Sequence, residues 1–91
     1  MGEGATATSD NQVAIGKSAT AAGTAGVAIG QSANATSNGV SIGNNSNASL
    51  GNTVSIGGYS SVLGDHGVSI GYDADSTATA DGSISIGAYI A

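Results

Sequence analysis

The chain has 91 residues, with one cationic side chain (Lys17), six acidic ones, a formal net charge of −5, and no Cys, Pro, Trp or Phe. A disulfide framework is therefore excluded, and a single cation gives no footprint for phosphate backbones, so nucleic acid is not an expected partner. A domain of this size has a marginal core of its own; with one His and no metal-ligand spacing among the acids, association between copies is the remaining source of stability.

The first predicted strand is Val13-Ala14-Ile15, which ends at Gly16 and is followed by a shorter one carrying Ala19 and Ala21. The same pair of phrases returns as Val27-Ala28-Ile29-Gly30 with Ala33 and Ala35, and as Val40-Ser41-Ile42-Gly43 with Ser46 and Ala48. It continues as Val54-Ser55-Ile56-Gly57 with Ser60 and Val62, as Val68-Ser69-Ile70-Gly71 with Ala74 and Ser76, and as Ile84-Ser85-Ile86-Gly87. The recurring Ile steps by 14, 13, 14, 14 and 16 residues, a period close to 14. Each phrase alternates large and small residues and is rich in β-branched types, with Gly, Asn, Asp and Ser between phrases as turn formers. Gly at 16 of 91 positions and the absence of a 3.6-residue stripe argue against helix.

Two short strands per 14 residues predict an all-β parallel solenoid in which each repeat is one coil. At about 4.8 Å per coil, six coils make a rod of roughly 29 Å. A coil this short encloses a narrow lumen, which suits Ala14, Ala28, Ser41, Ser55, Ser69 and Ser85 facing the Ala/Ser positions of the second strand. Since strand side chains alternate faces, Val13, Ile15, Val27, Ile29, Val40, Ile42, Val54, Ile56, Val68, Ile70, Ile84 and Ile86 then point outward. At about 100 Å² each, these twelve would make a patch of roughly 1,200 Å², more than a monomer usually leaves exposed, and they are the predicted oligomer interface. Gly16, Gly30, Gly43, Gly57, Gly71 and Gly87 are too regular for a phosphate loop and are predicted to permit the turn that leaves this strand.

Val-Ala/Ser-Ile-Gly followed by x-x-Ala/Ser-x-Ala/Ser at a 14-residue period resembles the head repeat of YadA-like trimeric autotransporter adhesins. The resemblance covers about residues 2–91 and implies that 1–91 is a single head repeat domain, a fragment of a longer fibre; "GEGATAT" fits the second half of a coil with Gly2 in the place of Gly16. It implies a left-handed parallel β-roll and a parallel homotrimer whose Val/Ile strands face the threefold axis. It also implies a place on the bacterial cell surface, anchored in the outer membrane through other parts of a longer parent fibre. The implied function is non-enzymatic adhesion to host extracellular-matrix proteins such as collagen, fibronectin or laminin. The same repeat resembles segments of bacteriophage tail fibres, the alternative reading. Departures from the pattern are the 13-residue coil from Gly26, the long "STATADGS" turn before Ile84, and Val62-Leu63 at usually small positions.

No cofactor or metal is implied, and no apolar run approaches the roughly 18 residues of a membrane span, so no direct membrane contact is expected of this segment. Asp65-His66 lacks a Gly-x-Ser-x-Gly elbow and reads as a solvated turn. Asp73, Asp75 and Asp81 lack calcium-loop spacing. Thr6 and Thr77 belong to no rank of threonines of the kind an ice-binding face needs. Tyr59, Tyr72 and Tyr89 are the three aromatics, with rim packing and ligand contact as the two readings.

Overall fold

In the computed structural model, residues 2–62, 64–76 and 82–88 are described. Among them there is no helix; every regular element is a strand of two or three residues. The three-residue strands are β2 (Val13–Ile15), β4 (Val27–Ile29), β6 (Val40–Ile42), β8 (Val54–Ile56), β10 (Val68–Ile70) and β12 (Ile84–Ile86). The two-residue strands are β1 (Thr6–Ala7), β3 (Thr20–Ala21), β5 (Asn34–Ala35), β7 (Asn47–Ala48), β9 (Ser61–Val62) and β11 (Asp75–Ser76). The even-numbered strands stack as one six-stranded parallel sheet and the odd-numbered strands as another, so the chain alternates between sheets at every turn. The result is a parallel β-solenoid whose longest extent is 31 Å, close to the length expected of six stacked coils.

Register holds from end to end. Ala14 pairs with Ala28, Ala28 with Ser41, Ser41 with Ser55, Ser55 with Ser69, and Ser69 with Ser85. The 13-residue coil therefore shifts nothing: Val27 pairs with Val40 and Asn34 with Asn47, because the missing residue comes out of the segment between β5 and β6. Register also survives the "STATADGS" segment, since Val68 pairs with Ile84. Residues 77–81 of that segment, and Leu63, lie outside the described residues. The opening half-coil obeys the same rule, with Thr6 paired to Thr20 and Ala5 N donating to Gly2 O at 3.0 Å.

The lumen holds small side chains. The buried apolar residues among those described are eight alanines and Val62, accompanied by Ser41, Ser46, Thr53, Ser55, Ser60, Ser69 and Ser85. Residues across the lumen are matched in kind. Ala14 and Ala28 share their coils with Ala19 and Ala33, whereas the Ser41 and Ser46 hydroxyls lie 2.6 Å apart and those of Ser55 and Ser60 2.7 Å apart. Ser46 and Ser60 also donate to the carbonyls of Gly43 and Gly57, and Ser69 Oγ donates to Ala74 O at 2.7 Å. A buried hydroxyl without a partner costs about 1–3 kcal/mol, so a serine on one wall demands an acceptor on the other. Ser85 Oγ is the buried side-chain oxygen that finds none among the described residues. Val62 has room because position 67 is glycine: a Cβ there would lie 2.6 Å from Val62 Cγ1.

Candidate interaction surface

The outer face of the even-numbered sheet is built by strand alternation alone. In each of its strands the central Ala or Ser is buried and the flanking Val or Ile looks outward, which places all twelve predicted interface residues on one face. Their exposure is uneven. At the ends of the stack, Val13 and Ile15 are 40% and 43% exposed, and Ile84 and Ile86 are 68% and 66% exposed. The eight between them are half-buried, each shielded by like residues in the coils above and below. The estimate of about 100 Å² per residue is therefore too high: it treats each side chain as isolated, and a ladder spaced at about 4.8 Å shields its own members.

The turn leaving this sheet begins at the predicted glycines, whose φ values run from 122° at Gly16 to 133° at Gly43. The fourth turn residue donates back to the glycine carbonyl, as in Ala19 N to Gly16 O at 3.1 Å and Ser46 N to Gly43 O at 3.2 Å. The third turn residue takes a left-handed φ of 55–61° at Ser18, Ser32, Asn45, Tyr59 and Asp73. A positive φ at the third position is the signature of a type II turn. The glycines are needed for packing as much as for φ: they stack directly, and a Cβ on Gly43 would meet the carbonyl carbon and oxygen of Gly57 at 2.6 Å.

Two tyrosines crowd one stretch of this turn ridge. Tyr59 and Tyr72 have ring centroids 5.9 Å apart at an interplanar angle of 76°, an edge-to-face pair, and are 49% and 53% exposed. Tyr72 reaches over Gly58, where a Cβ would be 3.4 Å from its ring. Sequence reasoning missed this contact; the signal was the spacing of 13, one short of the period, which makes the two residues diagonal neighbours on adjacent coils. Tyr89 lies outside the described residues.

On the opposite turn, Asp65 and His66 are exposed. Asp65 Oδ1 accepts from Gly51 N at 3.2 Å, and His66 Nε2 lies 3.4 Å from Asn52 Nδ2. Asn52 Oδ1 in turn accepts from Asn38 at 3.1 Å, so these groups form a polar ladder along the turn, with no serine hydroxyl in it. Lys17 pairs with Glu3 at 3.7 Å, both exposed. Among the described residues no three His, Cys, Asp or Glu side chains converge as a metal site; Asp81 and Thr77 lie outside those residues.

Comparison with known families gives a match to the YadA head domain repeat (2 copies) at residues 13–33, 37–60, 51–74 and 64–89. That family is a structural adhesin repeat and not an enzyme family. No curated protein matches the chain.

Proposed function

The chain belongs to the YadA head repeat family, and from that premise we propose that it is an adhesin head segment working as a parallel homotrimer. Three left-handed solenoids lie side by side with their Val/Ile sheets turned to the threefold axis, displayed at the bacterial cell surface, and their outer faces and turns attach to matrix proteins such as collagen, fibronectin or laminin. The observation that carries this reading is the inversion of the core: the buried side chains among the described residues are alanines, serines, one threonine and one valine, while twelve branched residues lie on an outer face. Burying a Val or Ile is worth about 1.5–3 kcal/mol at most, far more than an alanine returns, so the main hydrophobic gain is reached only when chains associate.

Sedimentation should give the mass of three 8.5 kDa chains. Ile56→Asp should dissociate and unfold the assembly, because it brings three carboxylates together near one axis. A well-folded wild-type monomer would overturn the trimer. For attachment, trimers on immobilised collagen, fibronectin or laminin should bind weakly singly and more tightly when clustered on beads. No binding to any of the three, even clustered, would point instead to a structural segment of a fibre.

A further inference from the structure

We propose that the Tyr59 and Tyr72 rings form a binding platform for an uncharged saccharide on the turn ridge of the solenoid. This site is local to two adjacent coils and does not depend on matrix adhesion.

The pair has three features of a built surface. Tyr59 sits at φ 61°, a left-handed conformation that is an outlier for a bulky side chain, at a turn position that elsewhere holds Ser, Asn or Asp. Strain kept at an exposed aromatic gains nothing for the lumen, and such residues cluster where surfaces do work. The Tyr72 ring lies over Gly58, where a Cβ would sit at an ordinary contact distance of 3.4 Å, and it meets the Tyr59 ring edge to face. Both residues stay about half exposed, so the pair meets solvent even with its rings in mutual contact.

The surroundings select the ligand. Turn hydrogen bonds place Asn44 and Asn45 in the coil below Tyr59 and Asp73 in the coil above, since Tyr59 N donates to Asn44 O and Asp73 N donates to Gly58 O. All three side chains are exposed, and together they offer amide donors, amide acceptors and a carboxylate acceptor. A pyranose matches this set, with an apolar C–H face for the rings and hydroxyls that both donate and accept. A proline-rich peptide also favours aromatic grooves but carries few donors and would leave the carboxylate unmatched. Sulfated or sialylated sugars are disfavoured, because Lys17 lies four coils from Tyr72, roughly 19 Å at 4.8 Å per coil.

With three Tyr and no Phe or Trp, the ring resonances are an uncluttered NMR probe. Titration with maltohexaose and with N-acetylchitohexaose at millimolar concentration should shift the Tyr59 and Tyr72 ring signals with at least one of them. Tyr59→Ser with Tyr72→Gln uses residues the chain already holds at Ser32 and Gln31, so the fold should persist by circular dichroism, and affinity should fall about tenfold or more. No ring shift with either sugar overturns the proposal even if the variant fails to fold, and so does unchanged affinity in a folded variant. A variant that lowers the sedimenting mass would show that the rings join copies of the chain, and would also overturn it.

Discussion

Each coil turns twice, and the two turns obey different rules. The turn leaving the Val/Ile sheet takes four residues every time it joins two strands, at 16–19, 30–33, 43–46, 57–60 and 71–74. The return turn takes five at 8–12, 22–26, 49–53 and 63–67 and four at 36–39, and seven residues separate Ser76 from Ile84. The difference lies in how neighbouring coils are joined. At the first turn the inter-coil ladder runs through the turn itself: Gly43 N donates to Ile29 O at 2.8 Å and Asn45 N to Gln31 O at 2.9 Å, with matching bonds at Gly57 and Tyr59. At the return turn the side-chain links change from coil to coil, from Gln12 Nε2 donating to Gly23 O at 2.6 Å to the Asn38, Asn52 and His66 ladder. A backbone contact repeated through the middle of a turn forbids a change of length; where the recurring backbone bonds reach only the first and last turn residues, as in Thr36 N to Ala48 O and Val27 N to Gly39 O, the length between them can change.

The largest expected effect falls on the glycine stack. Gly43→Ala places a Cβ 2.6 Å from the Gly57 carbonyl at a φ of 133°, where backbone rather than a flexible side chain must move. It should cost about 3 kcal/mol or more in denaturant unfolding, at the high end for a single added methyl group. A cost under about 1 kcal/mol would mean that the stack is looser than its hydrogen bonds indicate.

An intermediate effect is expected where the return turn meets the lumen. Val62→Ala removes the largest buried side chain and should cost about 2 kcal/mol, while Gly67→Ala drives a methyl group into Val62 and should cost about 1–3 kcal/mol. Combined, they should cost about 1 kcal/mol less than their sum, since Val62→Ala removes the contact with the new methyl group and leaves the one with the Gly64 carbonyl oxygen at 2.9 Å. Strict additivity in a double-mutant cycle would show that the two corners do not share one volume.

Much of this architecture was legible in the sequence because it rests on local alternation. Val-Ser-Ile-Gly states which residue enters the lumen and which leave it, and the period states which strands stack. What was hidden depends on contacts made only after the chain turns or the coils stack. The Ser41 and Ser46 pair could be read as two small residues, but their 2.6 Å contact follows only once the turn brings positions five apart face to face. The shielding of the Val/Ile face, the Tyr59 and Tyr72 contact, and the place where the short coil loses its residue all depend on stacking. A single repeat does not contain the information for these last three.

The smallest expected effect is also the sharpest test of the two turns. Inserting one alanine between Ser37 and Asn38 lengthens the four-residue return turn to five, the length found in most other coils, and restores the 14-residue period. The loop-closure term for one more residue is only about 0.2 kcal/mol. The turn bond from Gly39 N to Thr36 O and the Asn38 to Asn52 contact must rearrange, but both lie at a corner whose bonding already varies along the rod. The net change should stay within about 1 kcal/mol. The same alanine between Asn44 and Asn45 separates Gly43 from the third position of its turn, so the bonds to Ile29 and Gln31 below and to Gly57 and Tyr59 above can no longer all form. That variant should lose several hydrogen bonds at about 1 kcal/mol each, plus the glycine packing, and unfold at far lower denaturant. Equal midpoints for the two insertions would mean that turn length is constrained by strand pairing alone and that the glycine stack has no separate role.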